Sequence, residues 1–202
     1  MSLGNWQSQR AAEKRALGAA LDRAEQAPAI ELPAADVIHK RVAARGTFLA
    51  ERTVFLDNRL RRGRPGYEVV TPLRTRDSAV LVNRGWVAAA ASRDQLPEVR
   101  TPAGEVRIEG IALERIPHAL AAGQSTGRVR QNLDIAAYAA ETGLPLQPFV
   151  VEQHSDTRDG LRREWPRPDL GIEKHESYSL QWYSFAALAI VLAVVFSFRR
   201  IE

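Results

Sequence analysis

The chain has 202 residues, a net charge of +4 from 28 basic and 24 acidic side chains, no cysteine and a single methionine, Met1. That length allows one domain with a sizeable core and one further segment, and the missing sulfur ligands exclude disulfides, cysteine-bound zinc, iron–sulfur clusters and thiolate or thioether copper sites. Because the acidic residues are interspersed with the basic ones, no long block of one sign occurs and we predict no nucleic-acid partner.

The first predicted element is a helix, Asn5–Gln26. Strong helix formers fill this stretch, and Trp6, Leu17 and Leu21 fall near one face. Pro28 follows two residues later and marks the end of the helix.

Strand-like runs come next, rich in β-branched and aromatic residues and separated by turn residues. The predicted strands are Val37–Phe48, Arg52–Asn58, Tyr67–Thr75, Ala79–Val87, Val106–Glu114 and Phe149–Gln153. Between the last two, a short helix capped by Asp134 is predicted to run to Thr142 and to stop at Gly143. Short successive strands favour an antiparallel meander that curls around one core. We therefore predict an α+β fold, with one antiparallel sheet or partial β-barrel and peripheral helices.

The loop Arg59–Gly66, which reads RLRRGRPG, joins two of these strands and carries four arginines. Such a cluster could grip phosphates, or it could receive the propionates of a haem or the carboxylates of an acidic partner. A solvated hairpin tip explains the same residues, because Tyr67 is the only aromatic residue near enough to stack on a base.

The run Val80–Val87 reads VLVNRGWV and loses its apolar character at the Asn-Arg-Gly-Trp step. One interpretation is a central strand that ends in a glycine bulge, with Trp86 filling the core. The other makes Arg84 a cation in the core or in a cleft, where it would take part in binding.

The stretch Leu180–Phe198 contains no charged residue and is followed at once by Arg199 and Arg200. A helix needs about 20 mostly apolar residues to span the core of a bilayer. Trp182 and Tyr183 at one end and the arginines at the other suit the two membrane interfaces, and the arginines place the C-terminus in the cytoplasm. We predict a C-terminal transmembrane helix. A buried core helix is the alternative, although such a helix normally has a polar face.

Just before this apolar run the chain reads EKHESYSLQWY. If the segment is helical, His175, Tyr178 and Trp182 are spaced i, i+3 and i+7 and share one face at the membrane surface. An imidazole there could coordinate a haem iron beside aromatic rings, with Lys174 near a propionate. Alternatively, His175 is an interfacial polar residue that ties the helix to the domain.

Catalytic motifs are missing from the sequence. It has no glycine-rich phosphate loop, no histidine-rich zinc motif and no nucleophile elbow. We therefore predict that the protein is not an enzyme.

Five short motifs spread over almost the whole chain carry a family resemblance. They are Gly4-x-Trp6-Gln7-x-x-Arg10-x-x-x-Lys14, Arg41-Val42 with Gly46-x-Phe48, Gly66-Tyr67-x-Val69-x-Thr71-Pro72-Leu73, the Val80–Val87 run, and Lys174-His175-x-x-Tyr178-x-x-Gln181-Trp182-Tyr183. In this order and spacing, the sequence resembles the surfeit locus protein one family, whose members are assembly factors for haem–copper cytochrome c oxidase in the respiratory chain.

The resemblance implies two transmembrane helices in the inner membrane around a domain in the periplasm. The first helix should precede Gly4, so residues 1–27 are expected to form an N-terminal helix after a transmembrane segment that this sequence lacks. Residues 28–175 would then be a periplasmic α+β domain, and residues 176–202 the transmembrane helix with a short basic tail.

The resemblance also implies a chaperone-like role in placing haem a into oxidase subunit I, with subunit I, the haem a synthesis machinery and membrane lipid as partners. His175 matches the leading candidate for the iron ligand in this family. Lys174, Tyr178, Trp182 and Arg84 are expected to complete the haem a site. The alternative function is a scaffold that stabilises subunit I during assembly and never binds haem.

Ser177 and Ser179 depart from the family pattern, in which small apolar residues usually occupy these positions. The resemblance therefore predicts a slightly more polar interface at this point of the helix.

Overall fold

A computed structural model of the chain describes residues 2–90, 95–116, 127–165 and 172–199. Its helices and strands are α1 (Ser2–Gln26), β1 (Ile30–Glu31), β2 (Arg41–Phe48), β3 (Val54–Leu56), β4 (Gly66–Arg74), β5 (Ala79–Ala88), β6 (Glu105–Leu113), β7 (Val129–Arg130), α2 (Ile135–Thr142), β8 (Leu146–Gln153) and α3 (Ile172–Arg199), with a single 3-10 turn at Ala50–Arg52. The chain forms two compact units. The barrel unit is Ala24–Pro166, and the helical unit is Met1–Arg23 together with Arg167–Glu202.

The strands of the barrel unit form one sheet in the order β1-β2-β6-β8-β5-β4-β3-β7. A further pairing of β2 with β4, at Thr47 with Arg74 and Phe48 with Leu73, joins five of these strands into a ring. The remaining strands extend the sheet beyond the ring. The predicted α+β fold with a partial β-barrel and peripheral helices is therefore confirmed.

Not all of the pairings are antiparallel. β5 runs parallel to β8, and the two-residue strands β1 and β7 run parallel to β2 and β3. The first eight residues of β5 are all buried, which is typical of a strand covered on both faces. The sheet is mixed because strand partners are chosen by tertiary packing, which a short run of apolar residues does not specify.

All five strands of the ring contribute side chains to its apolar interior. The buried residues there are Val37, Val42, Ala44, Phe48, Leu73, Val80, Val82, Ile108, Ala112, Phe149 and Val151. A second apolar cluster lies on the opposite face of the sheet, where α2 packs against it through Tyr138. The two clusters follow from the alternation of side chains along each strand.

Helix α2 has the predicted ends. The Asp134 carboxylate accepts a hydrogen bond from the Ala137 N–H at 2.8 Å, and Gly143 takes the left-handed conformation at φ 68°. These local signals place the helix correctly because an N-cap carboxylate and a C-terminal glycine satisfy the free groups at helix ends.

Strand β5 contains the predicted bulge. Val69 pairs with Gly85 and Val70 with Asn83, so Arg84 between them is the extra residue. Gly85 has φ 143°, and a Cβ there would lie 2.8 Å from the Arg162 carbonyl oxygen, so only glycine fits. Trp86 is 2% exposed, and its indole N–H donates to the Arg59 carbonyl at 2.7 Å. The prediction of a glycine bulge with Trp86 in the core is confirmed.

The helical unit contains α3, which encloses the predicted membrane segment. Within the described residues, Ser177–Val194 is the stretch of helix that is long and apolar enough to cross a membrane. Almost none of it is buried, and Phe185, Leu188 and Ile190 are all more than half exposed. A core helix would bury such side chains, so the exposure supports the membrane interpretation.

Candidate functional site

The predicted binding residues of the C-terminal segment lie on α3. Because α3 is helical throughout, positions 175, 178 and 182 have the predicted helical spacing. Tyr178 and Trp182 are 50% and 42% exposed. The side chains of Lys174 and His175 lie outside the described part of the structure, so their roles stay predictions.

An open aromatic face extends along α3 from Tyr178. The Trp182 and Phe185 rings meet edge to face, with centroids 6.2 Å apart, and Phe185 is 61% exposed. Large apolar side chains in this state favour contact with lipid or with a flat apolar ligand.

A second face of α3 contacts α1. Ser179 Oγ lies 2.7 Å from Ser8 Oγ and donates to the Gly4 carbonyl at 3.3 Å. The Tyr183 hydroxyl donates to Asn5 Oδ1 at 2.7 Å. Asn5 contacts Tyr183, whereas Ser8, further along α1, contacts Ser179, which comes earlier on α3. The two helices are therefore antiparallel. We call this contact the seam.

Small residues allow the close approach at the seam. A Cβ at Gly4 would lie 3.0 Å from the Tyr183 ring, and Ala11 on α1 is buried. Ser179 is also buried, with its hydroxyl bonded to α1. Ser179 therefore directs its hydroxyl into the seam, whereas Ser177 is exposed.

Arg84 lies in the barrel unit and is completely buried. Its guanidinium donates to Asp159 Oδ2 at 2.9 Å, to Thr101 Oγ1 at 2.9 Å and to the Arg100 carbonyl at 2.7 Å. The same group lies 4.8 Å from the centre of the Phe48 ring, a cation–π distance. Arg84 is thus a buried cation whose partners all lie in the barrel unit, and its role in binding stays a prediction.

Asp159 joins Arg84 to a second arginine. Both of its carboxylate oxygens accept from Arg163 at 2.7 Å, and Thr157 donates to it at 2.9 Å. Burial alone would raise the pKa of Asp159, but the bonds from Arg163 and Thr157 outweigh it, and the pKa lies below the ordinary value. Burial lowers the pKa of Arg84, and the nearby Asp159 carboxylate partly offsets this lowering. The guanidinium nevertheless stays charged, because its pKa is too high for it to lose a proton in a protein.

Sequence reasoning missed Asp159 and Arg163. They lie in a segment after β8 that is rich in charged residues, and Asp159 follows Arg84 by 75 positions. A pair four residues apart in an irregular loop has no periodic pattern that would single it out. Only the fold brings the three charges together.

The arginines of the β3–β4 loop divide into two pairs. Arg61 donates to Glu68 at 2.6 Å, and Arg59 Nε lies 3.5 Å from the same carboxylate. Asn83 also donates to Glu68, at 3.1 Å. Arg59 and Arg61 are therefore engaged inside the protein, and the other two arginines of the loop, Arg62 and Arg64, are exposed.

Glu152 and His154 lie near this cluster at the end of β8. Burial raises the pKa of Glu152, and His154 Nε2 lies 3.5 Å from its carboxylate. Within the described ranges, three or more His, Asp or Glu side chains do not converge as a metal site would require.

Comparison with known proteins covers almost the whole chain. A profile of the SURF1 family matches residues 1–187. A SURF1-like protein from Rickettsia felis is 28% identical over 217 positions, which span 97% of this chain and 91% of that protein. SURF1-like proteins from Rickettsia bellii and Monosiga brevicollis are each 26% identical and span 94% and 95% of this chain, and 83% and 81% of their own lengths.

Proposed function

Because the chain belongs to the SURF1 family of oxidase assembly factors, we propose that it is a membrane-anchored, non-catalytic factor that binds haem a. In this role haem a is the cargo, and the chain hands it to subunit I of haem–copper cytochrome c oxidase. The main support is the open aromatic face of α3, where Tyr178 and Trp182 are both about half exposed and lie at the start of the apolar stretch of the helix.

The residue types on this face suit a porphyrin. His175 would supply an imidazole to the iron, as proximal histidines do in many haem proteins. Tyr178 and Trp182 would cover part of the ring with apolar surface, and Lys174 would pair with a propionate. Along α3, position 175 lies about one helical turn before Ser179.

Arg84 was also expected to contact haem a. Its guanidinium bonds Asp159, Thr101 and the Arg100 carbonyl inside the barrel unit, so a propionate would have to displace a buried partner at considerable cost. A structural role therefore has more support than haem contact.

The proposed location is the inner membrane, with the barrel unit in the periplasm and the C-terminus in the cytoplasm. Support comes from the exposed apolar helix α3 and from the two arginines, Arg199 and Arg200, that follow its apolar stretch. A reporter that is active only in the periplasm and works when fused after Glu202 would contradict this topology.

Haem a titration of the purified full chain in lipid nanodiscs tests the function. We expect stoichiometric uptake with a Soret band, and His175→Ala should lower occupancy and shift that band. Because ligation requires neutral imidazole, uptake should weaken as the solution is acidified through the titration of the histidine.

The other histidines provide matched controls, and they should bind haem a like the parent. His39 has φ 59°, so His39→Asn is the suitable replacement because asparagine tolerates that conformation. His154→Gln keeps a polar group next to Glu152, and His118→Ala completes the set although His118 lies outside the described residues. If a control loses haem while His175→Ala keeps the parent spectrum, the site is wrong. If the parent binds none, the scaffold function is the correct one.

A further inference from the structure

The tip of the β3–β4 loop is a tight two-residue turn. Arg61 and Arg64 exchange two backbone hydrogen bonds of 3.0 Å, and the residues between them, Arg62 and Gly63, have φ 51° and 75°. Positive φ at both central positions is the type I′ geometry of tight hairpins. A Cβ at Gly63 would find no atom within 4 Å, so the turn projects into open space.

The outward side of this turn is basic. Arg64 is exposed, and Arg62 is 77% exposed and pairs with Glu164, which is itself 64% exposed. A pair this open adds little stability and is readily exchanged for another anion. Arg59 and Arg61 are turned to Glu68 instead, so the loop divides its arginines between an internal and an external role.

Leu60 next to these arginines is 61% exposed. In the described part of the barrel unit it is the most exposed large apolar side chain, since Ile30 and Val129 are each below 40%. A leucine at the tip of a tightly turned polar hairpin contributes nothing to a core. Its position beside two exposed guanidinium groups suits a partner with both apolar and anionic parts.

We propose that the tip formed by Leu60, Arg62 and Arg64 binds the surface of a membrane that contains anionic phospholipid. A guanidinium pairs with a phosphate through two parallel hydrogen bonds, and a leucine can enter the boundary between headgroups and acyl chains. The chain carries a helix that can cross a bilayer, so the barrel unit is tethered to the membrane and a weak affinity of the tip suffices for binding. The contact is a second one with the membrane, separate from α3, and does not depend on haem binding.

The absence of cysteine from the chain allows labelling at a single site. Pro65 is exposed beside the tip, so Pro65→Cys carries an environment-sensitive dye while Leu60 and both arginines stay intact. The labelled full chain is reconstituted into vesicles of phosphatidylcholine alone or of phosphatidylcholine with phosphatidylglycerol. Nitroxide-labelled lipid then reports contact by quenching. The matched control is a dye at Asp77→Cys, on the exposed turn between β4 and β5.

In anionic vesicles we expect the Pro65 dye to shift its emission to shorter wavelength and to be quenched far more than the Asp77 dye. The difference should shrink in high salt and in phosphatidylcholine alone. Arg62→Gln with Arg64→Gln should weaken the contact by roughly fivefold for each arginine, and Leu60→Ser should reduce the emission shift. Equal quenching at the two dye positions, or quenching that these substitutions leave unchanged, would overturn the assignment. So would a dye that is shielded only when oxidase subunit I is added, because the partner would then be a protein.

Discussion

The interior of the barrel unit contains a buried charge with partners in the chain, whereas the open face of α3 carries large aromatic rings that are half exposed. Arg84 is a charge with no exposure, and it finds an ion pair, two further hydrogen-bond acceptors and an aromatic ring within the chain. Tyr178 and Trp182 are large rings, yet each is about half exposed. A side chain whose partners all come from the chain stabilises the fold, whereas a surface without them is available to lipid or cargo. We therefore expect the Arg84 network to stabilise the barrel unit and the open face of α3 to bind haem a.

A large loss of stability should come from Asp159→Asn, which leaves Arg84 and Arg163 without their shared carboxylate. Breaking a buried ion pair by removing one partner costs about 3 to 5 kcal/mol. Thermal unfolding of the full chain in detergent, followed by near-ultraviolet circular dichroism, measures this. Asp156→Asn is the control, because Asp156 is exposed and its carboxylate lies 3.4 Å from the guanidinium of Arg163. Equal effects of the two substitutions would show that burial of the network is unimportant.

The same network predicts an acid-sensitive barrel. The pKa of Asp159 is lowered in the folded chain, so its contribution is present above the ordinary aspartate range and is lost as pH falls through the lowered value. The parent should therefore lose more stability than Asp159→Asn when both are melted at successively lower pH. Parallel pH curves for the two proteins would contradict this.

A smaller effect is expected at the seam. Ser179→Ala removes the hydroxyl that bonds Ser8 and the Gly4 carbonyl, at a cost of about 1 kcal/mol. Because the hydroxyls of Ser8 and Ser179 are 2.7 Å apart, the double variant Ser8→Cys with Ser179→Cys should form a disulfide on mild oxidation. Ser8→Cys with Ser177→Cys should form it poorly, and the reverse order of yields would show that the helices pair differently.

The smallest expected effect has the opposite sign. Burial raises the pKa of Glu152, so its ionised form destabilises the fold as pH rises above the ordinary glutamate value through the raised one. At pH 8, Glu152→Gln should raise the free energy of unfolding by of the order of 1 kcal/mol or less, so the variant should melt at a higher temperature than the parent. At pH 4 the two proteins should melt at the same temperature. The comparison is repeated in chains that carry His154→Gln, which removes the adjacent imidazole. If Glu152→Gln lowers the stability at pH 8 in those chains, ionised Glu152 does not destabilise the fold.

Local signals made much of this fold predictable. Asp134 and Gly143 fixed the ends of α2, the Gly85 step marked the bulge, and the uncharged run after Ser179 marked the exposed helix. Each of these features depends on residues within a few positions of one another.

Long-range features were not predictable in the same way. The parallel pairing of β5 with β8 and the bond from Arg84 to Asp159 join residues far apart in the chain. The seam was missed because Ser8 and Ser179 lie 171 positions apart and nothing near either residue marks it as a helix contact. The candidate binding face could be located from spacing, whereas the partners of Arg84 required the three-dimensional structure.

Two tryptophans provide the most direct test of the division between stability and binding. Trp86 is 2% exposed and Trp182 is 42% exposed. Truncating a buried tryptophan costs about 3 to 5 kcal/mol, and an exposed substitution normally changes stability by less than about 0.5 kcal/mol. Barrel melting and haem a occupancy are measured on the same nanodisc preparations of Trp86→Ala and Trp182→Ala. We expect Trp86→Ala to lower the melting temperature strongly, and Trp182→Ala to melt like the parent but to hold less haem a. A Trp182→Ala chain that binds haem a as the parent does, or that loses haem only in proportion to a destabilised barrel, would contradict the assignment of binding to α3.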